Sequence, residues 1–251
     1  MNLLHPYFNN YPFAGFVHRG GNEEKTENTL EAFQHASDLG FIFMETDVQA
    51  TNDGEIVVFH DNTLNRLAGV DKKISDLSSY EIRNIDLING GRIPSLNELL
   101  SSFPTLRFNI DIKTNDAVEK CIDIINQHTA FNRVCLAAFS STRLKKIRKI
   151  CGDKLCSSLG MSEVFNLVLK SYGFPLNTNQ GNCAQVPISY FGFPVVNKKF
   201  INAAHTTNKL VHVWTIDEES EINNLIDLGV DGVMTDKPSV LMKVLKKRNL
   251  I

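Results

Sequence analysis

Two short stretches of this chain carry residue types able to do chemistry together. Val17-His18-Arg19-Gly20 sets a titratable imidazole beside a permanent cation, and Met44-Glu45-Thr46-Asp47-Val48 sets two carboxylates at i and i+2 inside an apolar run. Such a run reads as a buried strand, in which residues two apart share a face. Two carboxylates forced onto one buried face repel each other and need a cation between them. The pattern proposes a metal site, and His18 with Arg19 points to an anionic ester, such as a phosphodiester, as what it acts on.

Asn109, Asp111 and Lys113 share a face of a second predicted strand, 106–113. If the two strands are neighbours, Glu45, Asp47 and Asp111 converge on one point. Oxygen ligands without cysteine select a hard cation, one Mg²⁺ or Ca²⁺, and spacing does not choose between the two. His60-Asp61 follows the turn Asn52-Asp53-Gly54, so His18 and His60 are two groups that titrate near neutral pH. Cleaving a phosphodiester needs such a pair, a base for the attacking oxygen and an acid for the leaving alkoxide. Arg19 and Lys113 would offset charge on the non-bridging oxygens, Arg19 in bidentate fashion. The blander reading pairs the carboxylates with rim cations and makes each histidine structural. Two histidines beside three carboxylates at this spacing weigh against it. His5, His35, His128 and His205 lie in the leader or on helices, and His212 reads as a core residue.

The elements that must hold these residues alternate along the chain. Extended runs at 16–18, 41–48, 106–113, 134–139, 154–159, 182–186, 209–215 and 231–235 are each followed by a helical pattern. Leu30, Phe33, Ala36 and Leu39 fall on one face of the first helix, within 28–39, and Gly40 ends it. The run 55–60 leaves the Asp53-Gly54 turn as an extra extended segment. Pro94 opens a short helix, Ser75 to Glu81 reads as a short capped one, and Ser189 to Pro194 is an aromatic loop. Eight βα units predict a closed (β/α)8 TIM barrel of the α/β class, with residues 61–93 a small irregular insertion after the second βα region. Chemistry in such barrels sits at the C-terminal strand ends, where His18, Glu45, Asp47, Asp111, Lys113, Gln185, Trp214 and Asp236 fall.

The 251 residues suit one barrel domain, 1–251. A net charge of −2 and no basic stripe with interleaved aromatics argue against a nucleic-acid partner. Cys121, Cys135, Cys151, Cys156 and Cys183 form no C-x-x-C pair and mostly sit in apolar stretches, which predicts reduced thiols and a cytoplasmic setting. The leader, Met1 to Tyr7, lacks the basic and apolar regions of a secretory signal, and no apolar run reaches the roughly 20 residues of a membrane span. The oligomeric state is not readable.

The motifs also stand in a familiar order. His18-Arg19-Gly20 is followed by Glu27-Asn28-Thr29, Ala32-Phe33, Glu45-x-Asp47-Val48, Thr51-x-Asp53-Gly54, Val57-Val58-x-His60-Asp61 and Leu64-x-Arg66. Then come Ile93-Pro94-x-Leu96-x-Glu98, Asn109-x-Asp111-x-Lys113, Val213-Trp214-Thr215 and Gly229-x-Asp231-Gly232-x-x-Thr235-Asp236-x-Pro238. Over residues 14 to 245 the chain resembles the glycerophosphodiester phosphodiesterase family, of the barrel superfamily that includes phosphatidylinositol-specific phospholipases C. The resemblance implies metal-dependent hydrolysis of small glycerophosphodiesters, such as glycerophosphocholine and glycerophosphoethanolamine, to sn-glycerol 3-phosphate and an alcohol. It implies Glu45, Asp47 and Asp111 as ligands of one divalent cation, His18 and His60 as the acid–base pair, and Arg19 and Lys113 as phosphate holders. Trp214 would wall the glycerol or leaving-group pocket, and Gln185 is a further candidate for substrate contact. Attack by the glycerol 2-hydroxyl through a cyclic phosphate, or by water directly, both remain open.

Two positions depart from the family pattern. Asp111 stands where the family usually has Glu, and Thr26 where proline commonly precedes Glu-Asn-Thr. A lysophospholipase D would use the same site on an acylated glycerol. Tyr190, Phe191, Phe193 and the leader residues Tyr7, Phe8, Tyr11 and Phe13 could line its apolar entrance, though the simpler expectation packs them under loops. A catalytically silent phosphate-binding barrel would have lost a histidine or a carboxylate, and none is lost.

Overall fold

A computed structural model describes residues 5–9, 11–178 and 180–251. Residues 1–4 of the leader, part of the stretch read for a secretory signal, lie outside the described residues. Eight parallel strands form the barrel: β1 (Ala14–His18), β2 (Phe43–Ala50), β3 (Arg107–Ile112), β4 (Val134–Ala137), β5 (Cys156–Ser157), β6 (Cys183–Val186), β7 (Leu210–Val213) and β8 (Gly232–Thr235). Hydrogen bonding runs β5-β4-β3-β2-β1-β8-β7-β6, and the single bridge between Ser158 and Cys183 joins the two ends. Each strand feeds a helix, as the alternation predicts. The extra segment, Ile56–Val58, pairs antiparallel with the end of β2 and folds that strand's turn over the barrel mouth.

Local chemistry explains the element ends. The first helix, Leu30–Asp38, starts two residues later than its apolar pattern suggests, because the Thr29 hydroxyl caps it by accepting from the Ala32 N–H at 3.2 Å. Its face of Ala32, Phe33 and Ala36 is buried. The helix expected to open on Pro94 begins at Leu96, since Ser95 and Glu98 form a reciprocal capping box. In the insertion, the short helix read within 75–81 is Ser79–Arg83, capped by Ser78 with its partner three residues on, Glu81. Residues 61–93 bury a small cluster of their own, with Leu64, Ile74, Leu77 and Ile82 packed against Val57 and Phe59.

Apolar side chains between strands and helices form the main core, in which Phe33 lies edge-on to Phe108 at 5.7 Å between ring centres. A second cluster fills the barrel floor: Phe16, Phe43, Cys135, Cys156, Cys183 and Met234, covered by Tyr7 and Phe8. Tyr7 and Phe8 are thus buried, as the simpler expectation has it, but at the barrel floor and away from the entrance that the alternative gave them. Tyr7 and Phe8 belong to a short 3-10 turn, Pro6–Phe8, and face the N-terminal strand ends: Tyr7 meets Phe43 at 5.6 Å and Phe8 meets His212 at 5.4 Å. They close the apolar floor against water, at the opposite end from any substrate entrance, and Arg107 donates to the carbonyls of Pro6 and Tyr7. Phe13 is buried in the main core, and Tyr11 stacks on Arg107.

The aromatic segment also departs from its reading. Ser189–Tyr190 pairs antiparallel with Phe193–Pro194 around a turn in which Phe191 (φ +48°) and Gly192 (φ +79°) are both left-handed. The hairpin leaves Phe191 86% and Phe193 77% exposed, so these rings do not pack under a loop. All five cysteines are free and buried, and no described helix is long and apolar enough to cross a membrane.

If the leader is a floor plug, Phe8→Ala should lower stability by about 3 kcal/mol, the usual cost of emptying a buried phenylalanine site. It should leave KM for any substrate unchanged. Urea denaturation and steady-state kinetics on the same preparation test this, and a changed KM at unchanged stability would contradict the plug.

Candidate active site

Strand register assembles the site. His18 ends β1 opposite Glu45 of β2, Glu45 lies opposite Asn109 of β3, and Asp47 lies opposite Asp111. The i, i+2 pattern therefore becomes rows of polar side chains at the C-terminal end of the lumen. Just beyond β1 the backbone turns through three left-handed residues, Arg19 (φ +52°), Gly20 (φ +81°) and Gly21 (φ +91°). A Cβ on Gly20 would lie 2.6 Å from the Ala32 Cβ, so only glycine lets the turn pass that close to the first helix. Arg19 itself carries strain of about 1–2 kcal/mol there. It is pinned by its N–H donating to the Glu45 carbonyl at 3.0 Å and its carbonyl accepting from Asn28 at 2.8 Å.

Both expected histidines are held in one way. His18 Nδ1 lies 2.7 Å from Asp236 Oδ1, and His60 Nδ1 lies 2.7 Å from Asp61 Oδ1. A carboxylate only accepts, so Nδ1 carries the proton in each ring and Nε2 is left to exchange one. His18 Nε2 is 3.7 Å from Glu45 Oε2. Burial alone would lower the His18 pKa, but the Glu45 charge and the Asp236 hydrogen bond outweigh it and raise it. Asp236 is in turn fixed by its own N–H, which donates to Asp217 at 2.7 Å.

The carboxylates divide differently from the expectation. Lys113 Nζ sits 2.7 Å from both Asp47 Oδ1 and Asp111 Oδ2, while Glu45 turns to His18 and to the Arg19 N–H. The three acids share the mouth but do not close on one point, because the long Lys113 side chain folds back between two of them. Among the described residues, no three histidine, cysteine or acidic side chains form a ready-made metal cage. The charge balance is unequal. Burial pushes the Asp47 carboxyl up, yet the Lys113 and Arg19 cations prevail and hold it below its ordinary value. Glu45 is raised to about 8, by burial first and by the Asp47 charge second. Asp111 Oδ1 is buried with no hydrogen-bond partner.

Arg19 reaches two acids: Nη1 lies 3.2 Å from Glu27 Oε1, and Nε 3.2 Å from Asp47 Oδ2. The Nε–H is not aligned on Asp47, so it is a buried donor without a hydrogen bond. Trp214 lies beyond the end of β7, its ring edge-on to Phe139 at 5.9 Å, and Phe139 also faces Lys113 Nζ at 5.9 Å. Gln185 does not reach the acids. It donates across the lumen to Asn109 at 2.9 Å and so ties β6 to β3 at the level of Glu45. His212, as expected, is a core residue, fully buried against Phe8 and Phe16.

Sequence reasoning assigned no role to Asp61, Asp236, Glu27 or Arg66. The adjacency of Asp61 to His60 was a usable signal. Asp236 becomes a neighbour of His18 only because barrel closure sets β8 beside β1.

A family model for glycerophosphoryl diester phosphodiesterases matches residues 18–240. The chain belongs to that family. It is 33% identical over 239 residues to the probable glycerophosphodiester phosphodiesterase 2 of Mycobacterium tuberculosis, covering 92% of this chain and 90% of that one. It is 28% identical to the human lysophospholipase D GDPD1, over 89% of this chain and 83% of the relative. Among solved structures, a Silicibacter pomeroyi protein named for the same activity superposes with a TM-score of 0.81 at 20% identity, covering 97% and 96% of the two chains. An Oleispira antarctica phosphodiesterase in complex with the product sn-glycerol-3-phosphate does so with 0.77 at 20% identity, covering 94% and 96%. Family membership makes the chain a phosphoric diester hydrolase of the glycerophosphodiester phosphodiesterase type, and the structural neighbours share its barrel fold.

Asp61 gives this site an acid-labile component. Burial raises its carboxyl, but the Arg66 and His60 hydrogen bonds dominate and hold it at about 2. A carboxyl lowered in the fold adds stability above its unfolded value near 4, and that stability is lost as pH falls through about 2. Between these limits, urea denaturation of Asp61→Asn should show a smaller loss of stability than wild type. An equal loss would mean that the ion pairs of Asp61 carry no energetic weight.

Proposed function

We propose that the enzyme hydrolyses small glycerophosphodiesters, glycerophosphocholine and glycerophosphoethanolamine among them, to sn-glycerol 3-phosphate and an alcohol, with His18 and His60 as its acid–base pair. The observation that carries this reading is that both imidazoles have Nδ1 tied to a carboxylate at 2.7 Å, which leaves each Nε2 to move protons. One histidine takes the proton of the attacking hydroxyl as its oxygen bonds to phosphorus. The other protonates the head-group oxygen as its bond to phosphorus breaks. Where the attacker is the glycerol 2-hydroxyl, water then opens the cyclic phosphate; direct attack by water gives the same products.

Arg19 and Lys113 hold the phosphate in this reading. The unaligned Arg19 Nε–H is a spare buried donor, and Lys113 spends two of its three N–H bonds on Asp47 and Asp111. Trp214, backed by Phe139, walls the pocket, and Gln185 steadies the lumen through Asn109.

In this reading Glu45, Asp47 and Asp111, which do not meet at one point in the free chain, would draw together on one divalent cation, Mg²⁺ or Ca²⁺. The set is all oxygen, Asp111 Oδ1 lacks a partner, and burial first and the Asp47 charge second raise Glu45 to about 8. A cation bound there would supply Lewis acidity, offsetting charge on the phosphoryl oxygens and making a coordinated hydroxyl more acidic. The five buried, free cysteines support a cytoplasmic setting.

A second reading, lysophospholipase D activity, is favoured by the Tyr190-Phe191-Gly192-Phe193 hairpin, which holds Phe191 and Phe193 largely exposed. Comparing turnover of glycerophosphocholine with that of lysophosphatidylcholine separates the two.

His18→Ala and His60→Ala should each lower kcat at least about 100-fold with an unchanged circular dichroism spectrum. Near-wild-type turnover in either variant would remove that histidine from the mechanism. Release of glycerol 3-phosphate by EDTA-stripped enzyme should be absent and return with Mg²⁺ or Ca²⁺. Full activity after verified stripping would refute metal dependence.

A further inference from the structure

The insertion sends one side chain back toward the site. Arg66, on its first short helix, Asn65–Ala68, makes a two-pronged contact with Glu27, Nη1 to Oε2 at 2.7 Å and Nη2 to Oε1 at 2.8 Å. Its remaining Nε–H donates to Asp61 Oδ2 at 2.6 Å. Asp61 orients His60 through its other oxygen, and Glu27 holds Arg19 through Oε1. One guanidinium therefore links the carboxylate behind His60 to the carboxylate behind Arg19.

We propose that Arg66 is a positioning residue, which sets His60 and Arg19 in one fixed relation through Asp61 and Glu27. The inference rests on the reading of His60 and Arg19 as acid–base and phosphate-holding groups. The argument is one of charge and shape. Glu27 is 4% exposed, and a carboxylate buried to that degree must be neutralised. With Arg66 in place its charge is shared between two cations, so Arg19 commits a single Nη to it. Without Arg66, Glu27 would draw Arg19 fully to itself and away from the phosphate. Asp61 would likewise lose the partner that fixes its plane, and the His60 ring would be free to turn. A lysine keeps the charge but lacks the fork that serves both acids at once.

A role confined to holding the insertion in place explains the arrangement less well. A cleft of about 570 Å³, lined by Asn22, Lys25, Thr26, Leu67 and Asn89 among others, separates the insertion from the loop before the first helix. Arg66–Glu27 crosses it beside a second link, the Thr26 hydroxyl to the Asn89 carbonyl at 3.0 Å, which does not touch the site.

The test compares Arg66→Lys, Asp61→Asn, the double variant, Arg83→Ala as an exposed control in the same insertion, and His60→Ala. On glycerophosphocholine, Arg66→Lys should lose about 10–100-fold in kcat/KM at an unchanged melting temperature, the usual scale for removing a group that orients an active residue. The double variant should lose less than the product of the two single losses, because both changes act on His60 through Asp61, and Arg83→Ala should match wild type. Wild-type kinetics in Arg66→Lys, losses that multiply in the double variant, or a loss that follows the melting temperature would each overturn the proposal. Wild-type turnover in His60→Ala would instead overturn the reading it rests on.

Discussion

Buried negative charge at the barrel mouth is the constraint around which the rest is built. Glu45, Asp47 and Asp111 are each less than a tenth exposed and stand on adjacent strands in register. Carboxylates so placed cannot all ionise without cations. The nearest permanent cations are Lys113, shared between Asp47 and Asp111, and Arg19, whose guanidinium lies between Asp47 and Glu27. Glu45 turns instead to His18, and burial first and the Asp47 charge second raise its pKa. The left-handed turn that swings Arg19 inward is strained, and it holds because the charge it delivers is needed there.

The same constraint runs outward into the scaffold. The two histidines contribute their Nδ1–H bonds to carboxylates at the edge of the mouth, Asp236 from β8 and Asp61 from the insertion. Each of these acids has its own support: the Asp236 N–H donates to the Asp217 carboxylate, and Asp61 accepts from the Arg66 Nε–H. The polar layer thus ends in groups that reach solvent. The floor of the barrel is the reverse, apolar and plugged by Tyr7 and Phe8. A barrel with a dry floor and a charged mouth admits an anionic substrate from one side only.

How much of this was legible in the sequence follows from range. The i, i+2 spacing of Glu45 with Asp47 and of Asp111 with Lys113 is a property of any strand, so their facing was readable from pattern alone. The eight βα alternations, and hence the barrel, were readable for the same reason. Pairings across the barrel were not. Asp236 is 218 residues from His18, and only closure of β8 on β1 makes them partners. For the leader aromatics, composition tells that Tyr7 and Phe8 want burial but not at which end of the barrel. The hairpin rings misled: two left-handed residues in succession, Phe191 and Gly192, turn the segment out from the body where an irregular loop would have folded over it.

Asp111 shows why the shorter acid at that position is workable. With one methylene fewer than glutamate, its carboxylate stays close to β3, and Lys113, two residues on, can span the gap to Asp47. An ammonium has three donors, and the two acids take two of them. The third is taken by neither acid. In the proposed role as a phosphate holder, Lys113 would neutralise the acids and meet the substrate at once, its cation already desolvated before charge develops on phosphorus.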